Sequence, residues 1–322
     1  FTGSKDHNVA IRNRAVEMGL KVNEYGVFDV RDIDDPDAGQ RVGERVAGET
    51  EAGVYEALDL PLIPPELREN RGEIERAAAG NLPDLIGMGD LRGYLHVHTM
   101  ASDGTASIAG MAEAATEHGH EYVAIADHAS GPGMVGGVGL DDDELTAHAE
   151  AIRTANEDAS IELLAAVEAN IGADGSVSVG EDVLSTLDRV AASPHSALDD
   201  AGPDRLAAAI EHPEVDIIGH PTGRLLNQRP GHDIDIERVA EAAAANGTAL
   251  EINADPRRLD LRSSHVTVAL EAGATIAINT DAHSTDACKN TRFGVHTARR
   301  GWVESDDVLN CRDIDGVREF LE

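Results

Sequence analysis

From residue 93 to the end of the chain, short apolar segments alternate with longer segments whose apolar residues recur at helical spacing. Alternating strands and helices of this kind predict β-α units that build a parallel sheet. About seven such units predict an α/β fold, a distorted (β/α)7 barrel related to the eight-stranded TIM barrel. We expect strands at residues 94–99, 122–127, 161–168, 189–193, 215–219, 248–253 and 275–280, and helices at 108–118, 141–156, 204–211, 236–246 and 264–272.

The first 60 residues follow a different pattern, which is typical of a small α/β unit. We expect a helix at 8–18 that ends at Gly19, a strand at 23–30 and a second helix at 49–58. Pro61, Pro64 and Pro65 interrupt this pattern, and the polar segment that follows favours an extended linker with one short helix at 72–79. The sequence therefore predicts three parts, namely residues 1–60, a linker at 61–92 and a barrel domain at 93–322.

Two histidines in the first predicted strand of the barrel suggest a metal site. His96 and His98 alternate with Leu95 and Val97, and alternate residues of a strand face the same side. Both imidazoles would then face one way while the two aliphatic side chains pack on the other side. Asp103 comes just after the strand and is within reach of the same place. Imidazole and carboxylate are ordinary metal ligands, although a single H-x-H pair also fits a strand with incidental histidines.

Nearly every other predicted strand also ends in a potential metal ligand or another polar residue. The C-terminal ends of the strands carry the active site in β/α barrels, so these side chains are expected to lie together. Asp281 and His283 repeat the alternation of the first pair. The full set of strand-end residues is His96, His98, Asp103, Asp127, His128, Glu168, His195, His220, Glu251, Asn253, Asp281 and His283.

The chemistry of this set narrows the metal and the reaction. Histidine and carboxylate ligands without thiolate suit Zn²⁺, Mn²⁺ or Fe²⁺. A mononuclear site takes about four protein ligands, so this set is large enough for two or three ions. A cluster of that kind suits phosphoester hydrolysis, because one ion can generate hydroxide while others hold the phosphate and the leaving oxygen.

The charge of the chain changes this picture little. Lys and Arg total 26 against 60 Asp and Glu, which gives a formal charge of −34. Taken alone, this argues against nucleic acid as a partner, because phosphates need cationic contacts. The acidic residues, however, are spread along the whole chain. We therefore interpret them as a halophilic adaptation of the surface that says nothing about a local site.

The composition of the chain also indicates how its core is filled and in which cellular compartment it functions. Aromatic residues make up only 3% of the chain, so aliphatic and alanine side chains must fill the core. With 2 cysteines, neither a disulfide framework nor a cysteine-rich zinc site is expected, and a reducing cytoplasm fits. No apolar segment approaches the roughly 18 residues of a membrane span, and we expect no signal peptide.

The motifs around the strand ends resemble the PHP (polymerase and histidinol phosphatase) domain over residues 93–322. They are H-x-H-T-x-x-S-D-G, A-D-H, V-E-A-N-I-x-x-D-G, A-S-x-H-S, I-I-G-H-P-T-G-R, L-E-I-N-A-x-P-x-R-L-D-L and I-N-T-D-A-H-S. Several of them are more similar to the PHP domain of prokaryotic family X DNA polymerases than to free-standing phosphatases. The resemblance implies a trinuclear metal centre, usually with Mn²⁺, and 3′-5′ exonuclease cleavage of DNA.

The start of the chain resembles the thumb of family X polymerases such as polymerase beta. The residues that carry this likeness are Phe1-Thr2-Gly3-Ser4, Asn8, Arg12 and Asn23-Glu24-Tyr25. The resemblance implies that Phe1, Thr2 and Gly3 pack on the sugar of an incoming nucleotide. It also implies that Asn8 contacts a base edge and that Arg12 touches the template strand. The palm aspartates of this family, which bind Mg²⁺, would lie upstream, so we expect no polymerisation by the chain as given.

The same resemblance assigns nine of the strand-end residues to three divalent ions. We expect Mn²⁺, with Zn²⁺ and Fe²⁺ as alternatives, and the ligands of the first ion are also the expected catalytic residues. The implied ligands are His96, His98, Glu168 and Asp281 for the first ion, Glu168, His195 and His220 for the second, and Asp103, His128 and His283 for the third.

Three arginines near the barrel motifs are candidate clamps for a substrate phosphate. They are Arg224, Arg258 and Arg262. Arginine suits bidentate contact with phosphate. The alternative is that each of them pairs with a surface carboxylate, which is abundant in this chain.

The remaining polar residues are expected to support the site or to lie outside it. Asp127 has the opposite strand parity to His128, which favours a structural or supporting role, of the kind that orients a ligating imidazole. We expect Glu251 and Asn253 to support ligands in the same way. Histidines of helices and connections are expected to be solvated or to cap helices, namely His118, His120, His148, His212, His232, His265 and His296.

Three functions remain open at this point. The resemblance favours a metal-dependent 3′-5′ exonuclease or phosphodiesterase that acts on gapped or 3′-ended DNA in repair. A small-molecule phosphatase of the histidinol-phosphate type is the first alternative, although such phosphatases have no use for a thumb. A non-catalytic module that binds DNA or supports a separate palm polypeptide is the second, and it predicts little bound metal. We expect a cytoplasmic monomer with no membrane partner.

Overall fold

A capped helix and a small sheet form the first of two units, Phe1–Asp84 and Leu85–Glu322, into which the chain divides. The computed structural model describes residues 2–131, 138–198 and 204–320. Helix α1 (Lys5–Glu17) begins after Ser4, whose hydroxyl accepts a hydrogen bond from the backbone N–H of His7 at 3.0 Å. The remaining elements are β1 (Leu20–Asn23), β2 (Gly26–Asp29), β3 (Glu44–Ala47), α2 (Glu51–Glu56) and α3 (Glu73–Ala78).

The strand predicted at residues 23–30 is wrong at its start, because the chain turns there. β1 and β2 form an antiparallel hairpin whose register pairs Asn23 with Gly26. The Asn23 side chain accepts a hydrogen bond from the N–H of Tyr25 at 2.9 Å, and Gly26 has a φ of +134°. Asparagine and glycine serve such turns because the first caps its own backbone and the second tolerates positive φ. β3, which was not predicted, pairs with β2 and completes the sheet.

The segment predicted as a linker begins with residues that are packed inside the first unit. Ile63 and Leu67 are fully buried, and so is Arg68. The guanidinium of Arg68 donates to the carbonyl of Ile63 at 2.8 Å and to the carboxylate of Glu51 at 2.5 Å. The backbone carbonyl of Arg68 accepts from Ser4 N at 2.8 Å. Residues 61–84 therefore belong to the folded unit, because their apolar side chains and Arg68 are buried in it.

The second unit is a nearly closed barrel of seven parallel strands with helices around it. The strands are hydrogen-bonded in chain order, from β4 to β10, which confirms the predicted distorted (β/α)7 barrel. The elements are β4 (Gly93–Val97), α4 (Ile108–Glu117), β5 (Tyr122–Ile125), α5 (Asp142–Asn156), β6 (Glu162–Asn170), α6 (Glu181–Leu184), β7 (Arg189–Ser193), α7 (Arg205–Ile210), β8 (Ile217–Ile218), α8 (Ile236–Asn246), β9 (Ala249–Asn253), α9 (Ser263–Glu271), β10 (Ile276–Asn279), α10 (Thr291–Arg300) and α11 (Ile314–Glu319). Within the described ranges, no helix combines the length and the apolar character needed to cross a membrane.

Small side chains fill the inside of the barrel. Successive strands contribute inward-facing alanines that cluster with a few larger residues, namely Ala124, Ala166, Ala191, Ala249 and Ala277 with Leu95, Tyr122, Leu164 and Ile217. Neighbouring positions of the strands pack outward against the helices, as strand alternation requires. On β6 the inward face continues from Ala166 to Glu168. The polar side chains at the C-terminal strand ends therefore lie next to the layer of mostly small apolar side chains that fills the barrel interior.

Two buried asparagines connect the first and last strands of the barrel. The side-chain carbonyl of Asn279 accepts a hydrogen bond from Leu95 N at 3.1 Å. The side-chain amide of Asn310 donates to the carbonyl of Gly93 at 3.0 Å and to that of Ile278 at 2.7 Å. Both asparagines are fully buried. These side chains take the place of backbone ladder bonds, so the polar groups of β4 and β10 remain paired where the barrel closes.

Candidate metal centre

A bulge in β4 turns both histidines of the first strand toward the inside of the barrel. The register between β4 and β5 shifts between Tyr94 and Val97, so β4 carries one residue more than its partner there. Leu95 packs among the interior alanines, whereas Val97 packs outside against the helices. The prediction that these two side chains share a side was therefore wrong. The bulge lets Leu95 fill the interior while His96 and His98 also face it.

The carboxylate of Glu168 lies at the centre of the strand-end cluster and is fully buried. Its Oε1 lies 2.9 Å from Nε2 of His220 and 3.3 Å from Nε2 of His195. Its Oε2 lies 2.8 Å from Nδ1 of His128 and 3.4 Å from Nε2 of His96. Imidazoles from four strand ends thus converge on one carboxylate, which is the position expected of a residue that bridges ions.

Two further carboxylates extend the cluster. Oδ1 of Asp281 lies 3.0 Å from Nε2 of His98. Oδ1 of Asp103 lies 3.1 Å from Nε2 of His283 and 3.5 Å from Nε2 of His128. The predicted strand alternation of Asp281 and His283 was wrong, since β10 ends before Asp281 and Asp281 has a φ of +50°. Both side chains still reach the cluster from the loop that follows the strand.

Donor atoms of these residues form three groups in which all ligand atoms lie within 4.8 Å of one another. One group matches the set predicted for the first ion, and another contains the set predicted for the third ion together with His98. The remaining group has His128 where the prediction had His220, which contacts Glu168 nearby. The assignment of ligands to single ions stays a prediction. The groups are His96, His98, Glu168 and Asp281; His98, Asp103, His128 and His283; and His128, Glu168 and His195.

Many buried nitrogen and oxygen atoms of the cluster have no hydrogen-bond partner within the described ranges. Such atoms are costly unless something else satisfies them. Here they are imidazole nitrogens and carboxylate oxygens that face one another, and these are ligand atoms for divalent ions. The side chains therefore fit bound metal ions. The atoms are Nε2 of His96, both ring nitrogens of His98, Nδ1 of His128, both carboxylate oxygens of Glu168, Nε2 of His195, both ring nitrogens of His220 and Oδ1 of Asp281.

Burial and the neighbouring imidazoles act in opposite directions on the carboxylates. Burial raises the pKa of Glu168, but the adjacent His195 and His96 hold that pKa well below its ordinary value. The same balance applies to Asp281, whose pKa is lowered well below normal by the adjacent imidazole of His98 despite burial. Burial lowers the pKa of His98 itself to about 4. At neutral pH the two carboxylates are ionised and His98 is neutral, as metal ligands must be.

Other imidazoles of the centre, among them His96 and His283, have a raised pKa and so bind a proton more tightly than usual. Burial lowers the pKa of His96, but the charges of Glu251 and Glu168 raise it well above its ordinary value. In His283 the hydrogen bond to Asp103 outweighs burial and raises the pKa to about 9. An ion that binds these two rings must displace their protons, so metal affinity at these positions increases with pH.

Residues around the cluster determine which ring nitrogen faces it. Oε1 of Glu251 lies 2.8 Å from Nδ1 of His96, and Oδ1 of Asn170 lies 2.7 Å from Nδ1 of His195. Both contacts leave Nε2 directed at Glu168, as expected when an outer partner orients a ligating imidazole. The amide of Asn253 donates to Glu251 at 3.2 Å and to Asp281 at 3.1 Å. Asn170 was not predicted, although its motif was recognised.

Asp127 has a structural role, as predicted, but it does not orient a ligating imidazole. Its carboxylate accepts hydrogen bonds from Thr99 N at 2.7 Å, from the Thr99 hydroxyl at 2.6 Å, from the Ser102 hydroxyl at 2.5 Å and from Nε2 of His148 at 2.8 Å. Asp127 therefore holds a turn instead of a ligating imidazole. The prediction that His148 is solvated or caps a helix was wrong, because its side chain is only 10% exposed. Helical periodicity alone could not reveal this contact.

The three candidate phosphate clamps occupy different environments. Nε of Arg224 donates to the carbonyl of Arg258 at 2.7 Å, and Nη2 of Arg224 donates to the carbonyl of Leu259. Nε of Arg258 lies 3.5 Å from Oδ2 of Asp281. Arg262 is exposed and lines a cavity of about 330 Å³ together with Arg224. Arg258 thus contacts the metal centre, and a role of any of the three in phosphate binding stays a prediction.

The predicted thumb residues lie together in the first unit. Thr2, Asn8 and Arg12 line a cavity of about 260 Å³. Gly3 has a φ of +109°, and a Cβ atom there would lie 2.5 Å from Cβ of Arg68, so only glycine fits. Phe1 lies outside the described residues. The predicted nucleotide and template contacts stay predictions.

Two family models match the chain. The model of the DNA polymerase beta thumb matches residues 1–69, and the model of the PHP domain matches residues 94–255.

Whole proteins of three organisms are also similar to it. The DNA polymerase/3′-5′ exonuclease PolX of Bacillus subtilis is 41% identical over 100% of this chain and 55% of its own length, so this chain spans about half of that relative. A probable phosphatase of Caldanaerobacter subterraneus subsp. tengcongensis is 35% identical over 70% of this chain and 89% of its own length. A probable phosphatase of Thermoanaerobacter sp. is 30% identical over 70% of this chain and 93% of its own length.

Proposed function

We propose a function for this chain, which belongs to the PHP domain family and has the thumb-plus-PHP organisation of the family X DNA polymerases: its PHP domain removes nucleotides from DNA 3′ ends by metal-dependent hydrolysis. The predicted resemblance to this family is confirmed, because a family X relative aligns over 100% of the chain. Relatives named as phosphatases and as an exonuclease support a phosphoesterase. The choice of DNA as the substrate goes further and is our proposal.

The observation that carries the proposal is the convergence of buried imidazoles on Glu168. When bound, divalent ions at this centre would supply a hydroxide near neutral pH and stabilise the leaving oxygen of a phosphodiester. Glu168 and Asp281 are held ionised and His98 neutral, so the chain presents these side chains ready for metal binding. Three ions, with Mn²⁺ as the expected metal, fit the nine predicted ligands.

The side chains of the centre also suit a phosphate group. Arg258 extends to within 3.5 Å of Asp281, so its guanidinium is available at the edge of the centre for the anionic oxygens of a substrate. Asp103 is the most exposed carboxylate of the set, with 37% of its side chain accessible. The substrate would therefore approach at the side of Asp103 and His283, where the centre meets solvent.

DNA is favoured over small phosphate esters by the first unit. This unit matches the polymerase beta thumb and contains the cavity lined by Thr2, Asn8 and Arg12. A small-molecule phosphatase has no use for such a unit. The negative charge of the chain does not oppose this choice, because it is spread along the whole sequence. A polymerase activity would need a palm that the given sequence does not include.

The proposal is tested by incubating the full chain with 5′-labelled single-stranded or gapped DNA and Mn²⁺. We expect a ladder of products shortened from the 3′ end, which disappears in EDTA and in the His98→Ala variant. Intact DNA under all conditions, with active controls of a known exonuclease, would contradict the proposal.

A small-molecule phosphatase remains the second candidate, since two relatives named as probable phosphatases align with 70% of the chain. Release of inorganic phosphate from histidinol phosphate, measured on the same preparation, separates the two functions. Phosphate release with intact DNA would favour the phosphatase. Little bound metal after dialysis against Mn²⁺, with neither activity, would favour a non-catalytic module.

A further inference from the structure

We propose that His148 is a positioning residue of the metal centre, which holds the turn carrying Asp103 in place through Asp127. This inference rests on the proposed function, because it concerns the ions on which that function depends. His148 belongs to α5, an element that contributes none of the predicted ligands.

Asp127 is the connection between His148 and the turn. Its Oδ2 accepts from Nε2 of His148 at 2.8 Å and from the hydroxyl of Thr99 at 2.6 Å. Its Oδ1 accepts from Thr99 N at 2.7 Å and from the hydroxyl of Ser102 at 2.5 Å. Asp127 is fully buried. The four contacts occupy the acceptor sites of an ionised carboxylate, so loss of one donor leaves one acceptor site of a buried charged oxygen unfilled.

The turn itself is built around Thr99. The carbonyl of Thr99 accepts from Ser102 N at 3.2 Å and from Gly104 N at 2.9 Å. A Cβ atom at Gly104 would lie 2.7 Å from the carbonyl oxygen of His98, so the chain reverses too tightly there for another residue. Thr99 and Ser102, both bound to Asp127, thus lie at the start and near the tip of this turn. A shift of Asp127 would therefore move Thr99 and Ser102, and with them the whole turn.

Asp103 follows Ser102, which is bound to Asp127, and precedes Gly104, whose N–H is bound to the carbonyl of Thr99. Its Oδ1 lies 3.1 Å from Nε2 of His283 and 3.5 Å from Nε2 of His128. Its side chain is 37% exposed, whereas Glu168 and His98 are fully buried. Packing therefore contributes less to the position of Asp103 than the turn does. We expect His148 to affect the ion held by Asp103 and to leave the ion between His98 and Glu168 unchanged.

Metal binding by the full chain tests this proposal without reference to activity. Equilibrium dialysis against Mn²⁺, with elemental analysis and electron paramagnetic resonance, measures the ions one by one. In His148→Ala we expect the affinity for one of the ions to fall about 10- to 100-fold, as loss of an outer partner does at other metal sites. His148→Gln is expected to restore most of it, because the glutamine amide can donate to Asp127.

A matched control is His118→Ala. His118 is exposed at the end of α4 and its Nδ1 contacts the carbonyl of Ala114 in its own helix, at 2.8 Å. We expect wild-type Mn²⁺ affinity in this variant. Circular dichroism in EDTA checks that each variant folds. If His148→Ala does not fold, Asp127→Asn weakens the same contact and is expected to lose the same ion.

The proposal is overturned if the variants that fold bind Mn²⁺ as the wild type does. It is also overturned if the loss in His148→Ala is not reduced in His148→Gln. A merely structural role would lower the thermal midpoint in EDTA and leave Mn²⁺ affinity unchanged, which again contradicts it. Failure of the proposed function looks different: the wild type would leave DNA intact, while His148→Ala would still weaken one ion.

Discussion

Glu251 accepts a hydrogen bond from Nδ1 of His96 at 2.8 Å, and Nε2 of the same ring faces Glu168 at 3.4 Å. Glu251 is fully buried, and its other oxygen accepts from the backbone N–H of His220 at 2.7 Å. One carboxylate of β9 thus orients a proposed ligand and holds the backbone of another. Its position at the strand end was predictable, but its two partners are distant in sequence.

The substitution Glu251→Gln tests this arrangement. It replaces an acceptor by an amide group among N–H donors, so a buried donor loses its partner. We expect Mn²⁺ affinity to fall about 10- to 100-fold and the free energy of unfolding in EDTA to fall by about 1–3 kcal/mol. Equilibrium dialysis and urea denaturation measure the two effects. Glu157→Gln, at the exposed end of α5, is the control, and equal Mn²⁺ affinities in the two variants would contradict the role of Glu251.

Substitution of Asn310, the asparagine at the barrel closure, is expected to lower the stability of the fold. Asn310 donates to the carbonyls of Gly93 and Ile278 and accepts from Ile278 N at 3.0 Å. Asn310→Leu leaves these backbone groups buried and unpaired. We expect the free energy of unfolding to fall by about 1–3 kcal/mol for each group that finds no new partner. Asn246→Ala, at the exposed end of α8, is the control, and its free energy of unfolding should stay within about 0.5 kcal/mol of the wild-type value. Urea denaturation measures both variants. A change as small as this in Asn310→Leu would refute the role of Asn310 in closing the barrel.

Gly104 predicts an effect on the turn that carries Asp103. A Cβ atom there would lie 2.7 Å from the carbonyl oxygen of His98 and 2.8 Å from that of Thr99. Because both contacts are to backbone, the turn must move in Gly104→Ala. We expect about 1–3 kcal/mol of destabilisation together with weaker binding of one Mn²⁺ ion. Gly89→Ala, whose Cβ meets open space, is the control, and dialysis showing unchanged Mn²⁺ binding in Gly104→Ala would be inconsistent with this prediction.

Glu73 in the first unit is expected to make the free energy of unfolding depend on pH. Burial raises the pKa of Glu73, but the hydrogen bonds from His7 and from the backbone N–H groups of Arg71 and Asn70 lower it below its ordinary value. A carboxyl whose folded pKa is depressed stabilises the fold above its unfolded pKa, about 4.3. That contribution disappears as the pH falls through the folded pKa.

We therefore expect Glu73→Gln to destabilise the first unit at neutral pH, with a difference from the wild type that shrinks below about pH 4. Nuclear magnetic resonance of ¹³C-labelled Tyr55, which hydrogen-bonds His7 at 2.9 Å, reports on this unit in the full chain during urea denaturation. Glu75→Gln, exposed on the same helix, provides the comparison. A difference between Glu73→Gln and the wild type that stays constant with pH would argue against the assigned role.

The barrel was predictable because its signal is local. Each strand is a short apolar segment, and each ends in a polar residue such as Glu168 or His220, so chain order alone brings these side chains to one end of a parallel barrel. The bulge at Leu95 was not predictable in this way, because it depends on how β4 pairs with β5. Three helices of the barrel domain, α6, α10 and α11, were not predicted. α6 and α11 have only 4 and 6 residues, too few for a long periodic pattern, whereas α10 has 10 residues and was missed although it is as long as α4.

The outer residues of the site were harder to predict than the ligands. His148 lies on a helix whose pattern is that of any amphipathic helix, and only the tertiary structure brings it to Asp127. Asn170 and Asn279 are polar residues inside strands, and their partners, His195 and Leu95, come from other strands. Contacts of this kind depend on the register between distant segments, which no local pattern contains.

The most direct test of the account compares the wild type with Glu168→Gln on 5′-labelled gapped DNA in Mn²⁺. Glu168 touches imidazoles from four strand ends, so the proposed centre cannot assemble normally without its charge. We predict 3′-to-5′ shortening by the wild type and a rate lower by roughly 10³-fold or more in the variant, since catalytic groups that act as a unit fail together. Equal rates for the two proteins, or intact DNA with the wild type, would contradict the account.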